Sequence, residues 1–281
     1  MIGFIIDTEF VWGFQARVAG LSRTSPSFYY PPPTTFLGAL AEAIAKAEKV
    51  GEERGKEIIP KLSENLLAIG VRPVNCVPVK YEDINRVIMI SKKTSKRLGR
   101  NVLFPHPGDL EASFDSPARG KTILSSLNDD PPIIRWFLVF KDNTIRLDRE
   151  RLLLGEEQFW KIHRLGSKES RVSVINVLRV SELDVKSDDV VTGYSFPITM
   201  SISIVDSRGR WEYEVYVNPF DVKRYDEREN PVTNYIAGRK ALPFKIPILL
   251  TTLRQPVCRI KLAKGAIAYG FKNEVVMGWA G

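Results

Sequence analysis

The densest group of side chains that could bind an anion lies between residues 91 and 100, in the stretch SKKTSKRLGR. Every cation that contacts a phosphate releases counterions and thereby adds affinity for a nucleic acid. A run of like charges is also typical of a solvated surface loop. The stretch therefore predicts nucleic-acid binding, with an ordinary exposed loop as the alternative. The cations concerned are Lys92, Lys93, Lys96, Arg97 and Arg100.

A second group of hydrogen-bond donors surrounds Gly166, in the short polar sequence LGSKES. A glycine lets backbone N–H groups approach a phosphate closely, and the polar neighbours add side-chain donors. The same glycine would also suit a plain connection between a helix and a strand. We therefore predict a phosphate-binding turn, with a simple connection as the alternative. Its expected ligand-binding residues are Gly166, Ser167, Lys168 and Arg171.

The chain as a whole has a cationic excess. Its 281 residues include 41 Lys and Arg against 33 Asp and Glu, which is a net charge of +8. This excess suits a polyanionic partner such as RNA or DNA, although many basic proteins bind no nucleic acid. The composition of residues 12–30 predicts a loop, and we expect its Arg17 and Arg23 to be exposed and to contribute to RNA binding.

Motifs of enzymes are scarce in this sequence. It has no Walker loop, no GxGxxG motif after a predicted strand and no HExxH motif. The two histidines, His106 and His163, show no metal-ligand spacing, and we expect both to be structural or exposed. We therefore expect neither a metal nor a cofactor.

Cysteine usage and hydropathy bear on the compartment. Cys76 and Cys258 lie far apart, which excludes a disulfide framework, and we expect both to be buried in a reducing compartment. No apolar run approaches the ~20 residues of a membrane span. The N-terminal MIGFIIDTEF has neither a basic region nor a cleavage site of a signal peptide. We therefore expect a cytoplasmic protein without membrane contact.

The elements that must position these groups begin with a helix after three prolines, Pro31 to Pro33. The prolines favour extended backbone, and Thr34 or Thr35 is expected to cap the following helix. A 3.6-residue period then predicts one apolar face on this helix. The residues of that face are Leu37, Leu40, Ala41, Ile44 and Ala45.

The order of elements predicts a ferredoxin-like βαββαβ unit, an α+β fold, within residues 1–180. Prolines and irregular patterning indicate an insertion at about residues 75–132, outside the core, in which residues 81–90 could form one strand of a hairpin. The predicted strands cover residues 2–10, 67–74, 133–141 and 171–180, and the second predicted helix covers residues 148–163 with Gly155 as an interruption.

The pattern changes after Val180 to hairpins, so we expect a β-rich C-terminal region at residues 181–281. Alternating residues on either side of Ser207, Arg208 and Gly209 predict one hairpin. A second candidate pair flanks Lys264 and Gly265, with strands at residues 258–262 and 267–271.

Two stretches resemble a known family. FYYPPPTTFLGALAEAI, at residues 28–44, resembles a proline–threonine segment that leads into a first helix, and HRLGSKESRVSV, at residues 163–174, resembles a glycine-rich loop before a last ferredoxin-like strand. Both occur in the Cas-five family of CRISPR-associated proteins, within the RAMP superfamily. The resemblance covers residues 1–180, whereas the last hundred residues match only a β-rich extension.

The resemblance implies an RNA-binding subunit of a type I effector complex, Cascade. Such a subunit holds the five-prime handle of the CRISPR RNA (crRNA) and caps the filament of backbone subunits. It also contacts the large subunit, and thus target DNA indirectly. A hairpin thumb from the insertion would meet the neighbouring backbone subunit.

Two other functions stay open. One branch of the family is a metal-independent endoribonuclease that processes precursor crRNA by attack of a ribose 2′-hydroxyl on the adjacent phosphate. Such chemistry needs a general base or acid and a cation, and the candidates here are Tyr29 or Tyr30, His163 and Lys168. The other possibility is a structural adaptor that makes no RNA contact.

Overall fold

The computed structural model describes residues 1–16, 26–83, 119–147, 150–223 and 240–279. In this part the chain is a mixed α/β protein with many strands and few helices. The helices are α1 Pro33–Ala47, α2 Glu52–Gly55, α3 Ile58–Asn65 and α4 Glu156–Trp160. The strands up to residue 180 are β1 Ile2–Phe10, β2 Gly13–Phe14, β3 Leu66–Pro73, β4 Cys76–Asp83, β5 Arg119–Ser126, β6 Ile133–Phe140, β7 Thr144–Leu147, β8 Glu150–Leu153 and β9 Val172–Val180. Those that follow are β10 Asp184–Lys186, β11 Val190–Thr192, β12 Phe196–Pro197, β13 Ile202–Arg208, β14 Arg210–Val217, β15 Ala241–Ile248, β16 Val257–Leu262, β17 Ala268–Phe271 and β18 Glu274–Met277.

A four-stranded sheet in the order β3-β6-β1-β9 forms the centre, and all neighbouring strands are antiparallel. Strands β1 and β6 are buried on both faces, as their nearly continuous apolar sequences predict. On one face the ring of Trp136 lies 4.6 Å from that of Phe36 in α1. On the other face Phe137 packs edge-on against Tyr194 from the C-terminal region. The sheet is thus a middle layer between helices and later strands.

Helix α1 has the predicted apolar face but not the predicted cap. Leu37, Leu40 and Ile44 are fully buried. The helix begins at Pro33, with Pro32 at the N-cap position and no side-chain cap. The expected capping role of Thr34 or Thr35 is therefore wrong, because proline is favoured at the first helical position and both threonines lie inside the helix.

The predicted insertion at residues 75–132 contains two strands in its described parts, and both contribute to the core, whereas the prediction placed the insertion outside it. Strands β4 and β5 pair from Cys76 opposite Ser126 to Asp83 opposite Arg119, and β2 adds to β5. Thr122 and Leu124 are buried. Pro78 obscured this strand in the sequence, but β4 is an edge strand, where proline is tolerated. Most of the candidate strand at residues 81–90 lies outside the described residues.

The predicted helix at residues 148–163 is wrong over most of its length. Strands β7 and β8 form a hairpin, and α4 contains only five residues. Within the predicted helix, Leu152 and Leu154 are buried, whereas Leu153 between them is 54% exposed. A two-residue period on short strands therefore accounts for the apolar positions that were assigned to a helical period.

The C-terminal region is β-rich as predicted, but both predicted strand pairings are wrong. Strand β13 pairs with β16, while β14 pairs with β15. Gly209, with φ +81°, turns the chain from one sheet into the other. Strand β17 pairs with β18 and β10 instead of β16. Alternation identified these strands, but partners distant in sequence determined how they pair.

Candidate nucleic-acid interface

The turn around Gly166 has a backbone that only glycine accommodates easily. Its φ is +123°, and a Cβ added there would come within 2.7 Å of the carbonyl oxygen of Gln15. The turn is closed by a hydrogen bond of 3.0 Å from the N–H of Leu165 to the carbonyl of Ser170. Both the conformation and the close approach therefore explain the glycine.

The turn is docked on the segment that follows β2. The N–H of Ser167 donates to the carbonyl of Gln15 at 3.1 Å, and the N–H of Gln15 donates to Oγ of Ser170 at 2.9 Å. The indole of Trp12 donates to the carbonyl of Glu169 at 3.0 Å. Protein groups use these backbone and hydroxyl donors, and the exposed side chains of the turn are those of Lys168, Glu169 and Arg171, two cations and one carboxylate.

The predicted cations Arg17 and Arg23 lie outside the described residues, but both ends of their segment are described. The carbonyl of Ala16 accepts hydrogen bonds from the N–H of Phe28 at 3.3 Å and from Oγ of Ser27 at 3.2 Å. The segment from residue 17 to residue 25 therefore starts and ends at one place, next to Gln15 and hence next to the docked turn.

The predicted cations from Lys92 to Arg100 also lie outside the described residues, and so does His106. Residues 84–118 connect Asp83 and Arg119, which are paired in register. The next residue, Gly120, packs so closely on residues 26 and 27 that a Cβ there would collide with the backbone nitrogen of Ser27. The attachment points of all three predicted RNA-binding segments are thus neighbours.

The candidate catalytic side chains lie in different surroundings. Tyr30 is completely buried, and its hydroxyl donates to the carbonyl of Pro247 at 2.8 Å. Burial raises the pKa of Tyr30 well above its ordinary value. The ring of Tyr29 is covered by the ammonium of Lys80 at 3.7 Å. His163 instead lines an open cleft of about 320 Å³ together with Glu42, between α1 and the residues after α4.

The sequence did not predict a buried carboxylate, Glu214, that joins strand β4 to the loop before α1. Glu214 accepts hydrogen bonds from Nζ of Lys80 at 2.8 Å, from the N–H of Tyr29 at 2.8 Å and from the hydroxyl of Tyr216 at 2.6 Å. Burial raises the pKa of Glu214, while these donors act in the opposite direction. The signal in the sequence was a carboxylate on the same side of β14 as Tyr216, which is a large side chain expected to be buried.

A second missed network crosses the central sheet. Arg135 is bidentate to Asp7, at 2.6 and 2.8 Å, and also donates to Glu274 at 2.8 Å. Arg72 donates to the same Glu274 oxygen at 2.7 Å. Burial alone would raise the pKa of Glu274, but the hydrogen bonds from the two arginines outweigh it and hold that pKa below its usual value. The network ties β18 to three strands of the sheet, β1, β3 and β6, and Asn176, which donates to Asp7 at 3.2 Å, adds the fourth strand, β9.

Among the described residues, no group of three or more His, Cys, Asp or Glu side chains could hold a metal ion. The described helices include none that is both long and apolar enough to cross a membrane. Cys76 and Cys258 are free and buried, as predicted.

Two relatives and one solved structure that are similar to this chain are all CRISPR proteins. No family model matches the sequence. The chain is 25% identical over 270 residues, 92% of each chain, to CRISPR-associated protein Cas5 2 of Saccharolobus solfataricus. It is 26% identical over 251 residues to CRISPR system aCascade subunit Cas5 1 of that organism, covering 86% of this chain and 85% of the relative. A solved structure of a CRISPR protein from Archaeoglobus fulgidus is 48% identical, covers both chains completely and superposes with a TM-score of 0.72.

Proposed function

The chain belongs to the Cas5 family of CRISPR-associated proteins, and we propose from this premise that it is an RNA-binding subunit of a Cascade complex. In this function it holds the five-prime handle of the crRNA and caps the filament of backbone subunits. One relative is itself named an aCascade subunit, which supports the choice of complex. The proposed function requires no metal or cofactor.

This proposal rests on one observation: the three basic segments are attached to the described core at points that lie next to one another. The Gly166 turn contacts Gln15, the segment with Arg17 and Arg23 begins two residues later, and its far end packs on Gly120. Gly120 adjoins the segment that contains Lys92 to Arg100. A single RNA strand that passes this point could contact cations from all three segments, and phosphate contacts dominate the affinity of such sites.

We further assign the central sheet and its helices to the ferredoxin-like arrangement. In chain order its strands are β1, β3, β6 and β9, with α1 and α3 between the first two and α4 before the last. Their spatial order, with the fourth strand beside the first and the third between first and second, supports this assignment.

The β4–β5 hairpin is our candidate for the contact with the neighbouring backbone subunit. It extends from the described core toward residues 84–118, and Glu214 holds its base through Lys80. The large subunit is the second proposed protein partner, through which the chain would reach target DNA indirectly.

Replacing both Lys168 and Arg171 with alanine tests the RNA contact. Both side chains are exposed, so we expect the melting temperature to stay nearly constant. We expect the affinity for handle RNA to fall and the slope of log K against log salt to flatten by about 1.4, at about 0.7 per phosphate contact on a single strand. The measurement is RNA binding across a salt series.

The matched control replaces Arg254 and Lys264, which are also exposed, with alanine. It removes the same charge at another place. If both double variants changed the slope equally, the effect would be one of net charge and the turn would not be the contact. A wild-type chain without salt-dependent RNA binding would favour the adaptor function.

Precursor repeat RNA incubated with the chain in EDTA tests the endoribonuclease alternative. We expect the RNA to stay intact, because Tyr30 is completely buried and hydrogen-bonded and therefore cannot contact a ribose or a phosphate. The measurement is gel analysis of end-labelled RNA. Specific cleavage that disappears with His163→Ala would establish the nuclease instead.

A further inference from the structure

The outer face of the β14–β15 pair combines aromatic rings with a buried lysine. The register places Trp211 opposite Pro247, Tyr213 opposite Lys245 and Val215 opposite Pro243. Residues 212, 214 and 216 point to the other face, so the aromatic positions 211 and 213 share the outer one. Tyr213 is 62% exposed, although it stands in the middle of a strand.

The side chain of Lys245 has an unusual environment for a cation. Its residue is only 5% exposed. The ammonium lies 5.7 Å from the ring centroid of Trp211 and 5.7 Å from that of Tyr213. It makes no hydrogen bond or ion pair with any residue in the described ranges. Lysine is almost never buried without a paired acceptor, so this ammonium has donors available for an anion.

Nearby charges do not compete for that ammonium. On β14, Arg210 and Glu212 pair with each other at 2.7 Å. On β13, Asp206 pairs with Arg208 at 3.3 Å. The outward positions of the β14–β15 pair from 211 to 215 and from 243 to 247 contain no carboxylate. No carboxylate at these positions pairs with Lys245, and the buried thiol of Cys258, whose pKa burial raises, is a further neighbour of its ammonium.

The ring of Trp211 is held by protein contacts, whereas the ring of Tyr213 is largely exposed to solvent. Trp211 is fixed, because its ring packs on Phe196 at 5.9 Å and its indole donates to the carbonyl of Arg208 at 3.1 Å. It supports the lysine from one side. Tyr213 covers the lysine from the other side and keeps much of its surface in solvent, where a flat ligand can stack on it.

We propose that Tyr213 and Lys245 form a nucleotide-binding platform for single-stranded nucleic acid. The base stacks on the ring of Tyr213, and the adjoining phosphate pairs with the ammonium of Lys245. Stacking on exposed aromatic rings next to a cation is a sequence-tolerant way to hold a single strand. The platform lies on the C-terminal strands and does not involve the Gly166 turn, so the two contacts can fail independently.

Photocrosslinking of the full chain tests this platform directly. The probes are 5-bromouridine-containing RNA and 5-bromodeoxyuridine-containing DNA, each of about 12 nucleotides, within the range of a single-strand binding site. We expect a crosslink in the tryptic peptide spanning residues 211–223, and we expect Tyr213→Ala to abolish it. Crosslinking of RNA, of DNA or of both identifies the source of the strand. No crosslink in this peptide with either probe would overturn the proposal.

Equilibrium binding supplies the matched controls. Tyr213→Ala should weaken binding of the crosslinked oligonucleotide about 5- to 100-fold, as for loss of one stacked base. Tyr213→Phe should bind like wild type, because the ring face remains. Val215→Ala, exposed on the same strand, should also bind like wild type. Equal losses for the alanine and phenylalanine variants, or unchanged binding by Tyr213→Ala, would exclude stacking.

Discussion

Gly166→Ala is expected to lower the free energy of unfolding by about 2–4 kcal/mol, the range for a strained backbone combined with a buried clash. The φ of +123° is unfavourable for any residue with a Cβ, and that atom would press on the carbonyl of Gln15 at 2.7 Å. The clash would separate the turn from the end of β2, where the N–H of Ser167 donates to the carbonyl of Gln15 and the N–H of Gln15 donates to Oγ of Ser170. Chemical denaturation followed by circular dichroism measures the loss.

Gly265→Ala is the matched control for that experiment. Gly265 also has a positive φ, +92°, but a Cβ there would meet nothing within 4 Å. We expect a loss of only about 1 kcal/mol at that position, from the backbone alone. The difference between the two variants measures the contacts of the added Cβ with Gln15 and Ser170, together with the difference in backbone strain between φ +123° and φ +92°. Equal losses would mean that the turn is not pressed against its neighbour.

Structural damage at Gly166 and loss of RNA binding cannot be separated by changing the glycine. Any bulkier residue moves the whole turn, whichever role the turn has. The double alanine variant of Lys168 and Arg171 does separate them, because it leaves the backbone in place. A stable chain with weakened RNA binding would assign the contact to these side chains.

Arg135→Met is expected to destabilise the chain by about 3–5 kcal/mol, the usual cost of removing one partner of a buried ion pair. Asp7, whose side chain is 9% exposed, would lose both of its bonds to the guanidinium. Glu274 would keep only Arg72 from the arginine pair. The loss should appear as a lower denaturation midpoint, because the network links β1, β6 and β18.

Arg208→Met provides the reference for a solvent-exposed pair. Its guanidinium contacts Asp206 at 3.3 Å, and the two side chains are 80% and 55% exposed. Exposed ion pairs contribute ~0–1 kcal/mol, so little change is expected. If Arg135→Met were equally mild, the central network would carry no more stability than a surface pair.

Local sequence determined the elements that keep one regular burial pattern from end to end. The apolar run at residues 2–10 became β1, the run at residues 133–141 became β6, and the helical period after the three prolines became α1. Strands β1 and β6 are buried on both faces and α1 on one face, so the hydrophobic pattern of each segment reflects its structure directly. The turn around Gly166 was located for a similar reason, because only glycine accepts its backbone.

Tertiary structure alone decided which elements meet. Alternation identified β13 and β14 as strands, but β16 and β15, further along the chain, supplied their partners. The inward position of Glu214 depends on Lys80, 134 residues away. The three basic segments likewise lie close together because Gln15 contacts Ser167 and because Ala16 contacts Ser27, which packs on Gly120. A sequence pattern records the exposure of a residue but not the identity of its neighbour, because many distant partners can bury the same side chain.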